Sequence, residues 1–135
     1  MKTKFALTAD DVAAVLAAAR EHATANGWKV TISVVDDGGH LLGLLRLDGA
    51  APMTAVIAPG KARTAAVGQK ESRGYEETIN GGRYAFLSVP DLVFMEGGVP
   101  IVADGQVVGA VGVSGVKSAQ DAEIAKAGIA ALKLA

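Results

Sequence analysis

Glu96-Gly-Gly-Val-Pro-Ile-Val-Ala-Asp-Gly-Gln-Val-Val-Gly-Ala-Val-Gly-Val-Ser-Gly115 sets six glycines and one proline among apolar, mostly β-branched residues. Valine and isoleucine favour pleated strands, whereas glycine weakens a strand interior and marks a turn, a bulge or a close approach of backbone. At the centre, Ala103-Asp-Gly-Gln106 reads as a hairpin turn, because Asp-Gly supplies the positive φ of a type I′ turn. Two strands flank it, about 99–103 and 106–114. On residue types alone this is a glycine-rich core hairpin.

Outward from the hairpin, the remaining elements follow by period. Thr8 and Asp11 form a near capping box, and Val12, Val15, Leu16, Ala19 and Ala23 then recur at helical spacing until Asn26-Gly27. The period switches to two where Trp28, Val30, Ile32 and Val34 alternate with Lys29, Thr31 and Ser33, which predicts a half-buried strand. Asp36-Asp-Gly-Gly39 turns the chain into a second strand, about 40–47, making a first hairpin. A helical region over 52–70 is expected to break at Pro59-Gly60, with Ala62, Ala65, Ala66 and Gln69 on one side of its second piece. The polar stretch 71–83 has no period and reads as a loop, lid or subunit contact. Short pieces around 84–88 and 92–95 precede the glycine-rich hairpin, and a last helix starts near Ser118 and Asp121. Hairpins dominate and nothing demands a parallel crossover, so the chain reads as one α+β domain over 1–135: an antiparallel sheet of about five strands flanked by helices.

The glycine-rich run, together with Val34-Val-Asp-Asp-Gly-Gly-His-Leu-Leu42, Arg46-Leu-Asp-Gly-Ala50 and Lys61-Ala-Arg-Thr-Ala-Ala66, resembles the GlcG/HbpS family of small haem-binding-like proteins. Relatives of this domain also form the C-terminal part of some corrinoid adenosyltransferases. The resemblance spans about 7–134, with four motifs in the family's order. It implies a profilin-like or roadblock-like α/β/α sandwich, haem as a possible ligand, and dimers that build larger symmetric assemblies.

Composition narrows the chemistry. Net charge is −1 and no basic patch dominates, which gives nucleic-acid binding little electrostatic support. The absence of cysteine removes disulfides, thiolate metal sites and a cysteine nucleophile. No apolar stretch approaches a membrane span, and Met1-Lys-Thr-Lys-Phe lacks an apolar region behind it, so a soluble cytoplasmic protein is the expectation. There is no HExxH, no histidine pair at helical spacing and no Walker motif; no metal site is expected.

His22 and His40 are the only imidazoles and hence the candidate haem ligands, with Met53 and Met95 weaker ones. Arg46, leaving a strand beside a glycine loop, can fork onto a carboxylate or a haem propionate; its bland alternative is an ion pair with Asp48. Lys61 and Thr64 near a helix N-terminus suggest an anion site, against the alternative of solvated charge. Glu96 beside Gly97 and Gly98 is the most enzyme-like feature: a carboxylate for proton transfer next to exposed N–H groups. Two readings follow. One is an oligomeric protein binding haem or a small acidic ligand, accessory to catabolism or to redox and haem handling. The alternative is a cofactor-independent enzyme acting on a 2-hydroxy or 2-oxo acid, with Arg46 or Lys61 holding the carboxylate and Glu96 or His40 moving a proton.

Overall fold

Thr8 and Asp11 close the capping box the sequence announces: the Asp11 N–H donates to Thr8 Oγ1 at 3.1 Å and the Thr8 N–H to Asp11 Oδ2 at 2.8 Å. In the computed structural model, which describes residues 1–134, this cap opens α1 (Ala9–Ala25). Strands β1 (Thr31–Asp36) and β2 (Leu41–Arg46) form the first hairpin. Helices α2 (Thr54–Gly68) and α3 (Ser72–Asn80) follow, then a short 3-10 helix over Tyr84–Ser88. The chain finishes with β3 (Gly98–Ala103), β4 (Gln106–Ser114) and α4 (Ser118–Ala130). At the second turn Asp104 and Gly105 take φ of 53° and 71°, as a type I′ hairpin requires.

All pairings are antiparallel and the order is β2-β1-β4-β3, which places β1 and β4 in the middle. On one face α1 and α4 pack Val15, Ala19, Ile124 and Ala125 against Ile32, Val34, Val111 and Val113. Burying each isoleucine of this layer stabilises the fold by roughly 1.5–3 kcal/mol. On the other face Ala62, Ala65 and Ala66 of α2 lie on Val35 and Ala110. Helix α2 comes so close that a Cβ at Gly112 would stand 2.1 Å from the Ala58 carbonyl oxygen. The glycines of β4 are therefore packing residues. Pro100 lies in the edge strand β3, where a missing N–H does least harm.

Four details differ from the sequence reading. The sheet has four strands, because the segment around 92–95 is held elsewhere: the Val93 N–H donates to Thr64 Oγ1 at 2.9 Å instead of to a strand. Strand β1 is buried on both faces, Thr31 and Ser33 as fully as Ile32 and Val34, because α2 covers the side expected to meet water. Helix α2 is continuous through Pro59, whose fixed φ suits a helix even though one hydrogen bond is lost. The stretch 71–83 is mostly α3, fixed by tertiary contacts: the Tyr75 ring packs 5.6 Å from both Phe86 and Phe94, and its hydroxyl donates to the Gly68 carbonyl at 3.0 Å.

Candidate functional site

The turn between β1 and β2 is organised by one carboxylate. Asp36 Oδ1 accepts the N–H groups of Gly38 and His40, both at 2.9 Å, and lies 3.1 Å from His40 Nδ1. Burial pushes the Asp36 carboxyl up, but the His40 and Gly38 N–H groups and the His40 ring together outweigh it and hold it below the usual carboxylate range. Position 39 calls for glycine through its positive φ, whereas a side chain at position 38 would meet chiefly the exposed His40 ring. A Cβ on Gly38 would stand 2.9 Å from the His40 ring, and one on Gly39 (φ 83°) would stand 2.6 Å from the Arg63 stem.

His40 is thereby held by Nδ1 while its side chain is 80% exposed, and its Nε2 has no hydrogen-bond partner among the described residues. Arg63 of α2 leans over Gly39 and donates from Nη1 to the Asp91 carbonyl at 2.9 Å, leaving its other donors for a ligand. Gly38, Gly39, His40, Leu41, Arg63 and Asp91 line a surface cavity of about 600 Å³. A carboxylate behind an imidazole fixes its tautomer and ring orientation. The corner thus offers a nitrogen ligand or base beside a guanidinium.

The residues around the second hairpin are arranged otherwise. Lys61 Nζ donates to Asp121 Oδ2 at 2.9 Å and to the Val113 carbonyl at 3.0 Å, with both charged side chains only 3% exposed. Burial pushes the Asp121 carboxyl up; the Lys61 ammonium and the Val116 N–H, which donates to Oδ1, pull it back only in part. Thr64 is buried as well, its Oγ1 lying 2.8 Å from the Gly60 carbonyl. The Gly98 N–H, a candidate oxyanion donor, donates to Ser72 Oγ at 2.8 Å, and the Val113 N–H donates to the Gly97 carbonyl. A Cβ on Gly98 would stand 2.1 Å from the Lys61 carbonyl oxygen, and one on Gly97 2.9 Å from Lys61 Nζ. The double glycine lets α2 cross the sheet. Glu96, half-buried, donates its N–H to Glu76 Oε2 at 3.0 Å.

His22 lies elsewhere again. Its Nε2 is 2.7 Å from Glu123 Oε2, bridging α1 to α4, and its ring lies 6.0 Å from that of Trp28. Arg46 ends β2 exposed, and among the described residues it forms no ion pair, with Asp48 or otherwise. Only His40 among the sequence candidates joins the corner. Asp36 and Arg63 complete it, and the sequence reading did not single them out. The signal for Asp36 was present: an aspartate two residues before a glycine and four before a histidine is the spacing of a side chain that caps its own turn.

The motif order and the α/β/α layering have counterparts among known proteins. A family model described as "Haem degrading protein HbpS-like" matches residues 7–130. The chain belongs to the HbpS-like family. Protein GlcG of Escherichia coli strain K12 is 55% identical over 114 residues, covering 84% of this chain and 85% of that one. Among HbpS-like structures, a double mutant of Streptomyces reticuli HbpS superposes with a TM-score of 0.90 at 31% identity, over 98% of this chain and 90% of that one. A structure described as a PduOC–haem complex superposes with a TM-score of 0.87 at 29% identity, over 97% and 98%.

Proposed function

We propose that this chain binds haem, or a small acidic ligand, at the Asp36–His40–Arg63 corner, as an oligomeric accessory protein of catabolism or of redox and haem handling. The observation that carries the reading is His40: its Nδ1 faces Asp36 and its outer nitrogen is free in a cavity that also holds a guanidinium. The donor set fits the group. Haem iron takes a histidine nitrogen, and a guanidinium forks onto a propionate. Leu41, exposed at the start of β2 and lining the same cavity, offers apolar surface to a porphyrin edge. Bound haem would supply iron-centred redox and ligand chemistry; the chain's residues hold and orient it. The haem complex of the PduOC relative supports the same ligand class. His22 is the second candidate ligand, although its Nε2 is taken by Glu123.

A second copy of the chain completes this reading by covering the exposed leucines of β2 and bringing Arg46 to the ligand. No helix among the described residues is long and apolar enough to cross a membrane, and a cytoplasmic location belongs to the proposal. The enzyme reading, with Glu96 moving a proton, has less behind it, because the neighbouring Gly98 N–H already serves Ser72.

A hemin titration of the purified protein, followed in the visible spectrum with native mass, tests the reading. A saturable Soret band is expected at one haem per subunit or per dimer. His40→Ala should shift that band and weaken binding about tenfold or more, as loss of an axial ligand does. A broad band that never saturates, or an unchanged spectrum in His40→Ala, would overturn the assignment.

A further inference from the structure

The N-terminal segment, the β3–β4 hairpin and the end of α4 enclose a cleft of about 670 Å³ that shares no lining residue with the His40 corner. Its walls include Leu7, Ile101, Val108 and Leu132, with Ile101 and Val108 drawn from the main core. The volume lies within the range of sites that take small organic ligands. The polar side chains lining it are Asp11 and Asp104, and no histidine, methionine, tyrosine, lysine or arginine contributes. Lys4, which lines a smaller adjoining pocket with Asp104, is paired with Asp37. The cleft is therefore apolar and carries negative charge alone.

Such a lining suits neither haem nor an organic acid. It offers the iron no nitrogen or sulfur ligand, and its carboxylates would repel propionates. Hydrogen bonding by Thr8, chiefly its backbone N–H, holds the Asp11 carboxyl below its usual range, so it is ionised at neutral pH. We propose that this cleft binds an amphipathic cation, its apolar body against Ile101, Val108 and Leu132 and its ammonium at Asp11 and Asp104.

Decylammonium, decanoate and decanol serve as probes, titrated into the full-length protein and followed by the NMR methyl signals of Ile101, Val108 and Leu132. Decylammonium should saturate these signals, with decanoate about tenfold weaker, the combined effect of two partly exposed charges. In the Asp11→Asn/Asp104→Asn variant that preference should fall within about threefold, since both charges that set it are gone. Asparagine keeps an acceptor for the Thr8 N–H and tolerates the positive φ at position 104, so the variant keeps both local structures. Ala6→Trp, which fills the cleft from an exposed lining position, should abolish decylammonium binding and leave the hemin titration intact. The proposal is overturned if decanoate binds as tightly as decylammonium, if the double variant keeps the preference, if shifts map to Leu41 and Leu44 instead, or if decylammonium does not bind. Loss of hemin binding in Ala6→Trp would likewise remove the cleft's independence from the His40 corner.

Discussion

The Lys61–Asp121 pair and the Asp36–His40 pair each set a basic side chain against an aspartate beside a double glycine. One pair is 3% exposed, while the other presents a ring that is 80% exposed. At the first, the glycines make room for a helix, and Lys61 is bonded to a carbonyl as well as to its aspartate. At the second, the glycines make room for a turn and for the Arg63 stem, and His40 Nε2 has no partner among the described residues. Glycine beside a charged residue therefore does not by itself mark a ligand site. What separates the two corners is whether the polar atoms have already been satisfied.

The sharpest way to break this contrast is Gly98→Ala. Its Cβ would meet the Lys61 carbonyl oxygen at 2.1 Å, and neither backbone can move without lifting α2 from the sheet. We expect a loss of about 3 kcal/mol or more in urea unfolding, the upper range of overpacking costs. Near-native stability in that variant would mean that α2 is not seated as described.

A second test separates a structural ion pair from a working one. Asp121→Asn keeps an acceptor for the Val116 N–H but leaves the Lys61 ammonium buried beside a neutral group. Breaking a buried pair in this way costs about 3–5 kcal/mol. Adding Lys61→Met removes the stranded charge and should recover at least half of that loss, with hemin binding retained. If stability recovers but ligand binding does not, Lys61 belongs to the site after all.

The same contrast explains what could be read from the sequence. The two hairpins, the first helix cap and the alanine face of α2 are local signals, fixed by residues a few positions apart. Asp104-Gly105 specifies its turn without help from the rest of the chain. By contrast, Asp121 read only as the start of a helix, because its partner stands sixty positions earlier and nothing local announces it. Helix α3 was hidden for a similar reason: Tyr75 is held by Phe86 and Phe94, residues beyond the helix itself. The polar side of β1 misled because alternation promises a solvent face only when no helix lands there, and α2 does. Within the candidate site, His40 was legible as a residue type. Its pairing with Asp36 was legible as spacing, and Arg63 was not, since it reaches Gly39 only through the tertiary seat of α2.

The smallest expected effect on stability, and the finest probe of the exposed corner, comes from Asp36→Asn. Asparagine can still accept the Gly38 and His40 N–H groups through its side-chain oxygen, so the turn should survive with a change of about 1 kcal/mol or less. The carboxylate behind the imidazole is lost, and hemin affinity should fall about tenfold, as when an outer partner of a metal-binding histidine is removed. The pH dependence has a definite sign. The Asp36 carboxyl is held below its unfolded value of about 3.9, so its ionised form stabilises the fold fully above about pH 4. That contribution is lost as pH falls through the lower folded value. Urea unfolding of the original chain and of Asp36→Asn should therefore differ by a constant amount near neutrality, and the original chain should lose stability relative to the variant on acidification. A stability difference independent of pH down through that window would mean that the Asp36 charge does not support the turn, and the ordering of His40 would then rest on the glycines alone.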